Sequence, residues 1–177
     1  MVVRTLFLFL MAGLGWASAV PMWSRFEVVL QSSRSYENPL QDVEVKVAFT
    51  APSGARRVVD AFWDGGSTWR ARLTPDEQGR WTFVSSSSDS RDSGLSRLKE
   101  QFSCGPAPER GTAFARHGPL VVSKDGRHLA HAAGTPFFWL ADTAWNGPMW
   151  ASEGDWLEYV NERQSQMFTA VQWVATQ

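Results

Sequence analysis

The sequence predicts an antiparallel, Ig-like β-sandwich followed by the start of an α/β barrel, and three observations carry that reading. Residues 26–104 alternate apolar and polar side chains with period two and contain no helical window. The run Gly105-Pro106-Ala107-Pro108-Glu109-Arg110-Gly111 then breaks every periodicity. Beyond it, an unbroken apolar stretch ending on polar residues is followed by a helical segment and a second apolar strand, the order of a βαβ unit.

The first residues read as a leader. Arg4 precedes the apolar run Leu6 to Leu14, and Ala17-Ser18-Ala19 supplies the small residues a signal peptidase accepts, so cleavage is expected after Ala19 and the mature chain is expected to be exported. The run is shorter than the roughly 20 apolar residues of a membrane span, and Pro21 closes it, so no membrane anchor is expected.

In the alternating region Phe26, Val28 and Leu30 share a face, as do Val43, Val45, Val47 and Phe49. Trp69, Ala71 and Leu73 alternate with Arg70, Arg72 and Thr74; Trp81 and Phe83 alternate with Arg80 and Thr82. The separators Ala51-Pro52-Ser53-Gly54, Asp64-Gly65-Gly66 and Pro75-Asp76-Glu77-Gln78-Gly79 are turn chemistry. Residues 85–93, rich in Ser and Asp, read as an exposed loop before a last strand near Gln101 to Cys104.

Leu120 to Ser123 and Arg127 to Ala132, joined through Lys124-Asp125-Gly126, read as a hairpin. Phe137 to Leu140 show no alternation, which predicts a strand covered on both faces, with Asp142 and Thr143 just past its carboxyl end. That is where α/β barrels hold their active sites. Ser152-Glu153-Gly154-Asp155 has the form of a capping box opening a helix over 153–166, with Trp156, Leu157, Val160 and Met167 as its apolar stripe. A second strand is expected over 168–174.

Composition excludes several functions. The net charge is −1 and Arg56-Arg57 is the one basic doublet, so neither nucleic acid nor an anionic membrane is an expected partner. One cysteine, Cys104, forbids an intrachain disulfide and leaves stability to packing, for which ten Trp and eleven Phe supply the material. On a strand, His128 and His131 project to opposite faces, so no metal is expected. No Gly-x-Ser-x-Gly elbow, phosphate loop or dinucleotide fingerprint occurs, and no cofactor is expected.

Candidate ligand-binding residues follow from position. Asp142 either accepts hydrogen bonds from a polyol at a barrel mouth or caps the loop after its strand, and Thr143 lies beside it. Trp145 and Trp173 either stack on sugar rings or pack. Gln172 points into the barrel as a donor to substrate or lies buried in its interior layers. Trp63 and Trp69 flank the Asp64-Gly65-Gly66 turn, where cross-strand packing is favoured over a carbohydrate platform.

The layout resembles the apiosidase-like bacterial glycoside hydrolases. The resemblance rests on a leader, a sandwich containing Phe62-Trp63-Asp64-Gly65-Gly66-Ser67-Thr68-Trp69-Arg70, and Gly118-Pro119-Leu120 leading to Pro136-Phe137-Phe138-Trp139-Leu140-Ala141-Asp142-Thr143-Ala144-Trp145, then Phe168-Thr169-Ala170-Val171-Gln172. The family pattern carries Gly before the Asp and before the Phe, where this chain has Ala141 and Met167. The resemblance implies a sandwich ahead of a (β/α)8 barrel that hydrolyses plant cell-wall glycosides. Of that barrel this chain is expected to hold two strands and one helix. The expected organisation is a signal peptide at 1–19, a sandwich at 20–106, a linker at 107–117 and the truncated barrel start at 118–177.

Glycoside hydrolysis uses two carboxyl groups, which in barrels similar to this one come from later strands. No catalytic residue is therefore assigned, and the chain by itself is expected to be inactive. Asp142, Thr143, Trp145, Gln172 and Trp173 are the expected contacts to a carbohydrate substrate. The competing reading is a secreted, non-catalytic β-sandwich that binds carbohydrate or protein.

Overall fold

The computed structural model describes residues 19–175, so the expected signal peptide lies, but for Ala19, outside the described residues. The chain divides into two compact units. Of the described residues, the first holds 19–21 and Arg25–Pro106, the second Met22–Ser24 and 107–175.

In the first unit the strands are β1 (Val20–Pro21), β2 (Phe26–Gln31), β3 (Val45–Thr50), β4 (Arg56–Asp60), β5 (Phe62–Trp63), β6 (Thr68–Leu73), β7 (Gly79–Ser87) and β8 (Lys99–Gly105), with a short helix α1 (Pro39–Asp42) after β2. They form a five-stranded sheet in the order β1-β8-β7-β3-β4 and a three-stranded sheet in the order β2-β6-β5. All pairs are antiparallel except β1 with β8, which run parallel.

Alternation decides which side chains lie between the sheets. Val45, Val47 and Phe49 of β3, Trp69, Ala71 and Leu73 of β6, and Trp81 and Phe83 of β7 are all buried. Phe26 joins the two layers: its ring stacks on Phe102 at 3.7 Å between centroids and also meets Phe83 at 6.0 Å and Phe49 at 6.4 Å. Aromatic pairs at such separations contribute about 0.5–1.5 kcal/mol each beyond their buried area.

The Ser/Asp-rich stretch departs from the expected exposed loop. Residues 85–87 complete β7, Ser85 is buried, and Asp92 has no exposure to solvent. Its carboxylate accepts hydrogen bonds from Ser32 Oγ (2.5 Å), Ser33 N (3.0 Å), Ser33 Oγ (2.9 Å) and Tyr36 OH (2.9 Å), and from Gly94 N (3.0 Å) and Leu95 N (3.2 Å). A buried carboxylate is tolerated only with such a shell of donors. Burial alone would raise the Asp92 pKa, but the bonds from Ser32, Ser33 and Tyr36 outweigh it and hold the group well below the usual carboxylate range. Burial and the bond to Asp92 together push Tyr36 up to about 12. Gly94 closes the same turn, where an added Cβ would lie 1.8 Å from the Gln31 carbonyl oxygen.

The second unit comprises α2 (Ala113–His117), β9 (Leu120–Val122), β10 (Leu129–His131), β11 (Pro136–Phe137), β12 (Ala141–Trp145), α3 (Gly147–Trp150), α4 (Glu153–Ser165) and β13 (Ala170–Trp173). The helix α2 lies within the stretch expected as linker, and Thr112 caps it by accepting from Ala115 N at 3.2 Å. The strands β9, β10 and β11 form an antiparallel sheet in the order β11-β10-β9. Gly118 at φ +86 is required by close approach as well as conformation, since a Cβ there would sit 2.8 Å from the Trp23 indole and 2.9 Å from Ala132.

The expected covered strand over 137–140 is two pieces. The chain leaves the β10–β11 pairing after Phe137 and resumes strand form at Ala141. Phe138 and Trp139 between them are 74% and 58% exposed, so the run lacks the two covering layers its composition suggested. Asp142 consequently lies inside β12 and not beyond a strand end. Among the described residues, no helix is long and apolar enough to cross a membrane.

Removing the Asp92 carboxylate leaves the buried Leu95 amide and several partly buried donors without their partner, so Asp92→Ala lowers the stability of the first unit by roughly 2 kcal/mol in urea denaturation. In the unaltered chain the unfolded carboxyl takes up its proton before the folded one does. The stabilisation from Asp92 is therefore complete above about pH 4 and declines as the pH falls further, which acid titration followed by Trp fluorescence measures.

Candidate functional site

The pair β12–β13 is parallel, with Ala141 beside Ala170, Asp142 beside Val171, Thr143 beside Gln172 and Trp145 beside Trp173. The register shifts between Thr143 and Trp145, and Trp145 takes φ +43 at that irregularity. A left-handed backbone at a non-glycine residue costs energy and is held by its surroundings; here the Trp145 carbonyl accepts from Val174 N at 2.8 Å.

Alternation separates the expected contacts. Thr143 and Gln172 project from one face of the pair, while Asp142 and Val171 project from the other. The Asp142 face is the one that α4 covers: Asp142 Oδ2 accepts from Tyr159 OH at 2.8 Å and from Arg163 Nε at 2.5 Å, and Oδ1 accepts from Thr143 N at 2.8 Å. These bonds, with Tyr159 first, hold the Asp142 carboxyl below the usual range. Asp142 thus does not join Thr143 and Gln172 on one surface. Alternation along β13 assigns Trp173 to the face of Val171. Trp145 and Trp173 are register partners at the carboxyl ends, 70% and 48% exposed.

Arg163 is the junction of this region. Its guanidinium carbon lies 5.1 Å from the Tyr159 ring centre and 5.4 Å from that of Phe168, while Nη1 donates to Gln166 Oε1 at 2.7 Å. Positions 156, 159, 160 and 163 share a helix face, so the packing stripe includes Tyr159 and Arg163. Leu157 and Met167, expected in that stripe, are exposed. The helix starts at a cap in which Ser152 Oγ accepts from Asp155 N at 3.2 Å and donates to the Asp155 carboxylate at 2.7 Å.

The end of α4 explains one departure from the family pattern. Met167 N donates to the Gln164 carbonyl and Phe168 N to the Arg163 carbonyl, both at 3.0 Å, with Met167 at φ +67. This is a Schellman termination, whose left-handed residue is most often Gly. Ala141 sits in ordinary strand pairing with Ala170. Thr169 fastens the start of β13: its hydroxyl donates to the Phe138 carbonyl at 2.6 Å and accepts from Leu140 N at 3.0 Å.

The remaining candidates are placed as follows. Trp63 and Trp69 are direct register partners; Trp69 is buried, and the Trp63 indole N–H donates to the Gly66 carbonyl at 2.9 Å, a packing arrangement. His131 is buried with Nδ1 2.7 Å from the Gly118 carbonyl oxygen. His128 precedes β10 and lies 3.6 Å from Asp125. Among the described residues no group of three or more His, Cys, Asp or Glu is arranged to hold a metal ion. Tyr159 and Arg163 were not expected at the site; the signal for them was their i, i+4 spacing on a helix that faces a strand carboxylate.

Comparison with known proteins follows the same division. Residues 123–177 match the profile of the apiosidase-like catalytic domain. Residues 19–88 ahead of this part match a domain of unknown function, DUF5060. Among solved structures it superposes, with a TM-score of 0.72 and 23% identity, on a candidate glycoside hydrolase from Bacteroides vulgatus ATCC 8482. The match covers 88% of this chain and 28% of that one, so the chain spans less than a third of that protein's length. At this identity the likeness is one of fold. No curated protein matches the chain.

Met167→Gly relieves the left-handed strain at the α4–β13 turn while keeping both backbone bonds. It is expected to stabilise the second unit by about 0.5–1 kcal/mol, read as a higher thermal midpoint by circular dichroism. A lower midpoint would show that the Met side chain packs more than its exposure suggests.

Proposed function

We propose that the chain is the amino-terminal portion of an exported glycoside-hydrolase-like protein that acts on plant cell-wall or related polysaccharide, with β12, α4 and β13 forming the start of a (β/α)8 barrel. The match of residues 123–177 to the apiosidase-like catalytic domain is the observation that carries this reading. The parallel order of β12 and β13, with α4 between them in sequence and packed on one face, supports it.

In such a barrel the face away from the helices is the interior, and the carboxyl ends of the strands bear the site. Thr143 and Gln172 then point inward as hydrogen-bonding groups for sugar hydroxyls. Trp145 at the end of β12 offers aromatic surface to sugar C–H faces, whereas Trp173 lies on the helix-covered side with Val171. Asp142, committed to Tyr159 and Arg163, acts on the substrate indirectly, by fixing β12 against α4 and so setting the position of Thr143.

Hydrolysis needs a second carboxyl group and a free one. Asp142 is the one acidic residue on β12 and β13, and it is paired. The 177-residue chain is therefore expected to show no turnover of aryl glycosides or pectic oligosaccharides. A chain extended along its reading frame is expected to hydrolyse them, with Gln172→Ala lowering kcat/KM by about tenfold to a hundredfold. Turnover by the 177-residue chain that disappears in Asp142→Ala would place the catalytic machinery elsewhere and refute the reading.

A further inference from the structure

The strand β4 is an open edge of the five-stranded sheet. Among the described residues its one strand partner is β3, from Arg56 beside Thr50 to Asp60 beside Lys46. In an antiparallel strand the N–H and C=O of a residue point to the same side, and successive residues alternate. Ala51 N donates to the Ala55 carbonyl at 2.9 Å, and Ala61 N donates to the Val45 carbonyl at 2.8 Å. Ala55, Arg57, Val59 and Ala61 therefore turn their backbone groups to β3, and Arg56, Val58 and Asp60 turn theirs outward. The same three residues are exposed, Val58 at 54%.

The other edges of this unit offer less. β1 and β5 have two residues each, and Pro21 of β1 has no N–H. β2 is longer, but Gly94 packs against the carbonyl of its last residue, Gln31.

The charges of β4 are complementary about its centre. Arg56 stands two places before Val58 and Asp60 two places after it. Arg56 has no ion-pair partner among the described residues, and Asp60, with its side chain 83% exposed, lies 3.7 Å from Lys46, too far for a tight pair. Charge on an edge strand ordinarily repels a second strand. Here a second β4, antiparallel about a two-fold axis at Val58, sets Arg56 against Asp60 at both ends and Val58 against its own copy. Each opposed pair then exchanges both of its outward backbone bonds. A slip of two residues sets Val58 against a charge, and a slip of four sets Arg56 against Arg56 or Asp60 against Asp60.

We infer that two copies of this chain associate through β4 in that register, joining their five-stranded sheets into one. The two-fold axis makes the contact self-complementary and closed, so association stops at the dimer. This surface is separate from the site proposed above and does not depend on it.

The test is sedimentation equilibrium of the full chain from about 10 µM to about 1 mM, where a monomer–dimer equilibrium is expected. Arg56→Asp and Asp60→Arg each turn two attractive pairs into two repulsive ones, and each is expected to weaken association about tenfold or more. The double variant Arg56→Asp/Asp60→Arg restores both pairs and the dimer. An equimolar mixture of the two single variants does so as well, now between unlike chains. Val58→Pro removes an outward N–H that β3 does not use, and it is expected to abolish the dimer while the chain still melts cooperatively. A monomer at every concentration, or association indifferent to the single charge variants or to Val58→Pro, would overturn the inference. So would weakening in the single variants with no recovery in the double variant and the mixture.

Discussion

A carboxylate removed from water must find a donor for nearly every lone pair, and Asp92 imposes that condition on the first unit. Its partners come from residues 32–36, which follow β2, and from its own turn at 94 and 95. The two stretches lie about sixty positions apart in sequence, and the bonds fix them side by side. The path of the chain from β2 toward α1, and of the turn after β7 toward β8, is set at this point. The aromatic junction at Phe26 supplies apolar contact between the sheets, but apolar contact is non-directional. Hydrogen bonds to a buried charge specify one arrangement of loops.

The second unit uses the same kind of constraint at its surface. Asp142, Tyr159 and Arg163 tie a helix to a strand, although α4 buries none of its residues completely. Partly exposed pairs contribute little to stability by themselves. Their effect here is geometric: with Asp142 turned toward the helix, Thr143 and Gln172 must face the opposite way.

Sequence periodicity revealed the first unit well where one face is buried, as in Val45, Val47 and Phe49 or Trp69, Ala71 and Leu73. It did not reveal β4, because Arg56-Arg57-Val58-Val59-Asp60 runs in doublets, nor β1, whose two residues are too few to show a period. Asp92 escaped notice because its environment is built by residues distant in sequence; a Ser/Asp-rich run looks alike whether solvated or satisfied. In the second unit Phe137 to Leu140 were read as one strand because an apolar run carries no signal of where its pairing stops. The pairing of Thr143 with Gln172 depends on register, which no single strand encodes.

Cys104 has a use unrelated to binding. It is the single thiol of the chain, lies buried in β8, and burial raises its pKa. A thiol that is both inaccessible and protonated reacts with alkylating reagents only when its strand opens. The labelling rate of this one atom is therefore an intrinsic clock for the opening of the sandwich. It runs independently of any optical signal, and it can be read by mass in a mixture.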